Sequence, residues 1–83
     1  MEPTVTTKDL VLAASLSAIG YPLTGLDVSV GGRKGNIGVF TFSGTGIEAS
    51  EANYHSGDLL VEPRRFHLCL KDLKARANEP IRQ

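Results

Sequence analysis

From Leu10 to Ile19 the chain carries no charge, and its apolar positions fall nearly all round a helical wheel. Leu12, Leu16 and Ile19 make one stripe, Leu10, Ala13 and Ala14 widen it, and Val11 and Ala18 lie elsewhere. A helix apolar on almost every side is covered on most of them, by its own chain or by a partner. Thr6 or Thr7 is the expected cap, Asp9 suits the first turn, and Gly20 stops the helix. Leu26-Asp27-Val28-Ser29-Val30 then alternates and reads as a half-buried strand. Gly31-Gly32-Arg33-Lys34-Gly35 is a glycine-rich turn, and Asn36 to Phe42 is the return strand of a hairpin. That strand is apolar on both faces, with Ile37 and Val39 on one and Phe40 and Phe42 on the other. A sheet covered on both sides, or a shared edge, would account for it.

Ser43-Gly44-Thr45-Gly46 breaks the strand, and a short helix is expected from Ile47 to His55, ending at Ser56-Gly57. Leu59-Leu60-Val61 has the composition of a short third strand. Pro63 suits the first position of a last helix, with Glu62 at its entry. Phe66, Cys69, Leu70, Leu73 and Ala77 recur at core spacing along that helix, and Asn78-Glu79-Pro80 ends it. The order predicted is α-β-β-α-(β)-α, an α+β fold in one domain over residues 1–83. Residues 1–6 and 79–83 read as loose ends.

Composition narrows the function classes. The chain has 83 residues, near the lower limit for a domain that folds without staples. One cysteine, Cys69, permits no intrachain disulfide and fits a reducing compartment. The longest uncharged run, Leu10 to Leu26, is interrupted by Gly20-Tyr21-Pro22, so no membrane span is expected. Glu2 and Asp9 acidify what a secretory leader would keep basic, and a cytoplasmic protein is the expectation. Nine basic residues balance nine acidic ones, so net charge gives no reason to expect nucleic acid. The charges are segregated, however. Residues 36–62 contain Glu48, Glu51, Asp58 and Glu62 with no lysine or arginine, whereas residues 63–83 contain six basic residues and two acidic ones.

Several motifs taken together resemble a family of small bacterial and phage proteins classed as a domain of unknown function. They are the Thr-Lys-Asp-Leu helix start, Gly-Tyr-Pro-Leu, Phe-Thr-Phe, and Leu-Val-Glu-Pro-Arg-Arg-Phe followed by Leu-Lys-Ala-Arg. The positions concerned in the last two are Glu62, Pro63, Arg64, Arg65, Phe66, Leu73, Lys74, Ala75 and Arg76, and the likeness spans about residues 6 to 77. It implies a phage or mobile-element setting and a non-catalytic accessory role. It implies no activity.

The candidate chemistry is sparse. Gly44-Thr45-Gly46-Ile47-Glu48-Ala49 fits G-x-G-x-x-A, but it follows a hairpin strand, and Glu48 and Glu51 would repel a pyrophosphate. No cofactor is expected. His67 and Cys69, two apart on a helix, point about 200° apart and cannot share a metal ion or act as a nucleophile pair. Cys69 falls on the core stripe. No nucleophile, base and oxyanion set is visible, so no enzyme is expected. The residues that ask for an explanation are Arg64 and Arg65. Cations in the first turn of a helix are disfavoured by about 0.3–1 kcal/mol each unless something compensates. Either an internal carboxylate such as Glu62 or Asp58 neutralises them, or they clamp an anionic partner. With Lys71 and Lys74, and with Arg33 and Lys34 at the hairpin tip, they form the candidate partner-binding set.

Two functions follow as expectations. The first is a small interaction module that binds a protein and self-associates, with Val11, Leu16, Val39, Phe40 and Phe42 as its interface. The second is a nucleic-acid-binding accessory protein that uses the basic helix and hairpin tip.

Overall fold

The computed structural model describes residues 2–30 and 36–78. Six elements follow one another: β1 (Thr4–Thr7), α1 (Leu10–Ile19), β2 (Leu23–Val30), β3 (Asn36–Ser43), α2 (Ile47–Ser56) and α3 (Pro63–Asn78). The three strands make one antiparallel sheet in the order β1-β3-β2. All three helices pack on one face of it. α1 lies centrally, with α2 on its β1 side and α3 against β3 and β2. The α+β class read from the sequence is the class observed.

Two expectations about strands are corrected. The lead-in is no loose end, because Thr4–Thr7 pairs with β3 in the register Val5↔Phe42 and Thr7↔Phe40. β-branched residues suit an extended edge, and Val5 enters the core while Thr4 and Thr6 face out. Leu59–Val61 is not a strand. β3 already has a neighbour on each side, and the segment instead links α2 to α3, with Leu60 89% exposed. The glycine-rich turn Gly31–Gly35 lies outside the described residues.

The start of α1 is also corrected. Thr7 is held in the sheet, so the chain stays extended to Asp9, which is the cap residue. Asp9 Oδ1 accepts from the amides of Val11 (3.0 Å) and Leu12 (3.3 Å), and the Asp9 amide donates to Thr7 Oγ1 (2.9 Å). Gly20 ends the helix, its amide reaching the carbonyls of Leu16 and Ser17.

α1 is covered by its own chain. Leu12, Ala13, Ala14, Ser15, Leu16 and Ala18 are buried, and the Ser15 hydroxyl is satisfied by the Val11 carbonyl at 2.8 Å. The core is completed by Val5, Phe40, Phe42, Ile47 and Leu73. Each large side chain fully withdrawn from water there stabilises the fold by roughly 1.5–3 kcal/mol. Leu16, Phe40 and Phe42 therefore belong to the core and do not form an interface. The premise that α1 needs a partner falls with them. Val11, 45% exposed, remains at the surface, and Val39 is half-buried.

The sheet is not covered on both sides. Its other face carries Thr4, Thr6, Thr41, Ser43, Ile37 and Val39, with Asp27 and Ser29 from β2. Thr6 and Thr41 hydroxyls lie 3.2 Å apart there, and Thr24 Oγ1 donates to the Thr41 carbonyl at 3.2 Å. Hydroxyls bonded across strands allow this face to remain in water, as antiparallel sheets commonly do.

Candidate interaction surface

The twin arginines owe their position to Glu62. Its carbonyl accepts the amide of Phe66 at 2.9 Å, so Glu62 is the residue from which α3 starts. Its carboxylate turns back over that start, Oε2 accepting from the Arg64 amide and Oε1 from the Arg65 amide, each at 3.0 Å. These two amide bonds, with a smaller contribution from the Arg65 charge, hold the Glu62 carboxyl below its ordinary value. One negative group thus satisfies two unpaired helix amides and offsets the cations beside them. Glu62 is thus the internal carboxylate beside Arg64 and Arg65, bonded to their amides and not to their guanidinium groups.

The guanidinium groups are left outside. Successive helix positions differ by about 100°, so the two arginines diverge. Arg64 shares its side with His67, Leu68 and Lys71, all exposed. Arg65 shares its side with Asp72 and Arg76, which form an ion pair of 2.8 Å. Lys74 borders a different feature, a cleft of about 270 Å³ lined with Lys8, Leu10, Ile37, Gly38, Phe40 and Ala77. The basic set is therefore split three ways. Arg33 and Lys34 lie outside the described residues.

The sequence reading missed the apolar part of this surface. Pro63, Arg64, His67 and Leu68 line a shallow groove of about 370 Å³. Leu68 is 64% exposed, and Leu60 stands just before the helix at 89%. The signal was present in the spacing, since Leu68 falls opposite the stripe of Phe66, Leu70 and Leu73. Cys69 is half-buried on the core side and His67 is exposed, so the two do not converge.

α3 is fastened by apolar packing. Phe66, Cys69, Leu70, Leu73 and Ala77 face α1 and the sheet, and Gly38 permits the approach. A methyl group on Gly38 would lie 3.1 Å from Ala77 Cβ and 3.0 Å from the Phe40 ring. Among the described residues, no α3 side chain hydrogen-bonds to another element; its side-chain bonds are confined to neighbours within the helix.

The G-x-G segment has a structural role. The ring of Tyr21 lies over Gly44, where a Cβ would come within 2.5 Å of it. The Tyr21 hydroxyl donates to the Thr45 carbonyl (3.3 Å) and meets Ser50 Oγ (3.2 Å). Glycine at position 44 thus makes room for an aromatic side chain. Nearby, the Tyr54 hydroxyl donates to Asp9 Oδ2 at 2.8 Å, tying α2 to the start of α1. Partial burial pushes the Asp9 carboxyl upward, but the Tyr54 hydroxyl and the amides of Leu12 and Val11 prevail and hold it below its ordinary value. The same bond, chiefly, raises the Tyr54 phenol.

No helix among the described residues is long and apolar enough to cross a membrane. Comparison with family models, with curated proteins and with solved structures gives no match.

Proposed function

We propose that this protein is a non-catalytic interaction module that binds a protein partner through the outer face of α3. The observation that supports this is the exposed Leu68, beside Pro63, Arg64 and His67, on a helix side that contributes no bond to the rest of the fold. Exposed leucine beside an arginine and a lysine that form no ion pair among the described residues favours an acidic, amphipathic segment as the partner: its apolar side chains would meet Leu68 and its carboxylates Arg64 and Lys71. Arginine is among the residues that dominate binding energies at interfaces. In the phage or mobile-element setting that the motifs imply, such a module acts as an inhibitor or adaptor of a host complex. Self-association is an extension of this reading, resting on Val11 and Val39.

The test is capture of partners from the native host by the wild type and by a Leu60→Ser/Leu68→Ser variant of unchanged thermal stability. The proposal expects a captured protein whose retention drops at least tenfold in the variant and again on Arg64→Ala. Equal retention by all three proteins sinks it.

A second reading, binding of nucleic acid, is favoured by one specific observation. Arg64, Lys71 and Lys74 form no ion pair with a carboxylate among the described residues. Affinity that falls steeply with salt, and falls further on Arg64→Ala and Lys71→Ala, is expected on that reading. Affinity indifferent to salt rules it out.

A further inference from the structure

The cleft between the start of α1, the end of α3 and strand β3 combines apolar side chains with two lysines. Its floor is apolar: Phe40 is almost wholly buried, and Leu10, Gly38 and Ala77 are half-buried around it. Lys8 and Lys74 are exposed, and both line the same cleft. They come from elements far apart in the chain. None of the lining residues is acidic, and among the described residues neither lysine pairs with a carboxylate. Two like charges beside one apolar hollow repel each other and attract a compact anion.

We infer that this cleft binds a small amphiphilic anion, with its head between Lys8 and Lys74 and a short apolar tail on Phe40, Leu10 and Ala77. The size agrees. An enclosed cavity of about 150 Å³ takes up benzene, and this cleft has about 270 Å³. A ring-sized tail and a carboxylate or phosphate head fit within it. Lysine suits such a head, because it acts as a point charge with rotatable donors and imposes no planar geometry. The inference is independent of the α3 surface proposed above, because Leu68 and Arg64 lie outside the cleft.

Phenylacetate is the probe, followed by amide chemical shifts of the labelled protein. Acetate supplies the head without the tail, and phenethylammonium supplies the tail with the opposite charge. The expected result is saturable shifts at Leu10, Gly38, Phe40 and Ala77 with phenylacetate, and none that saturate with either control. Lys8→Gln with Lys74→Gln should weaken phenylacetate at least tenfold without changing the spectrum elsewhere, since both side chains are exposed. Equal response to acetate, affinity unchanged in the double lysine variant, or shifts centred elsewhere would overturn the assignment.

Discussion

The flank of the molecule around α2 and the outer flank of α3 use their polar side chains in opposite ways. Around α2, hydroxyls join elements remote in sequence: Tyr54 to Asp9, and Tyr21 to Thr45 and Ser50. On α3 the polar bonds stay within one turn: Glu62 to the amides of Arg64 and Arg65, and Arg76 to Asp72. The first flank holds the fold closed. The second leaves Arg64, Lys71 and Leu68 without a side-chain bond to another element among the described residues, which is why recognition is assigned there. A group already bonded across the fold cannot be withdrawn for a partner without cost, whereas a locally bonded or unbonded one can.

The largest effect that probes this contrast comes from beneath α3. If that helix is fastened by apolar packing, Leu73→Ala should destabilise the protein by about 3 kcal/mol in denaturant unfolding. A loss under 1 kcal/mol would mean that other contacts hold the helix. Next comes the interlocked flank. Gly44→Ala drives a methyl group into the Tyr21 ring and should cost about 2 kcal/mol. Adding Tyr21→Ala should cost less in that background than in the wild type, since the two sites are in contact.

Smaller effects separate the two carboxylate caps. Asp9→Ala should cost about 1 kcal/mol as a lost cap. Asp9 and Glu62 both lie below their ordinary values of 3.8 and 4.5. A carboxylate depressed on folding contributes stability that is complete above its unfolded value and is lost as pH falls through the folded one. Stability should therefore decline as pH drops below 4.5, and Asp9→Asn or Glu62→Gln should each flatten that decline. Tyr54→Phe should weaken the part due to Asp9 and leave the part due to Glu62 untouched. An acid profile unchanged by Tyr54→Phe would put the two caps on the same footing. The smallest effect sharpens the contrast most. Leu68→Ser should alter stability by no more than about 0.5 kcal/mol, and a larger loss would make that face part of the fold.

The long periodic elements were legible because burial of one face leaves a pattern in the chain. The stripe Phe66, Cys69, Leu70, Leu73, Ala77 and the charge-free run Leu10–Ile19 were read correctly, as were the stops at Gly20 and Gly57. β1 was not legible: four residues with a single buried side chain, Val5, become a strand only when β3 offers its edge. Leu59–Val61 had strand composition but links α2 to α3 without pairing with the sheet. The candidate basic residues were visible as residue types, but their division among the groove, the Asp72–Arg76 pair and the Lys8–Lys74 cleft was not.

By itself, then, the sequence determined the helices, the hairpin strands and the apolar stripe of α3. All of these rest on neighbours a few residues apart, where spacing dictates geometry. Only the tertiary structure decided that α1 is covered internally, that Gly44 makes way for Tyr21, that Asp9 serves Tyr54 as well as its own helix, and that Lys8 and Lys74 line one cleft. Those placements bring together residues 23 to 66 positions apart, and no local pattern encodes which distant side chains share a site.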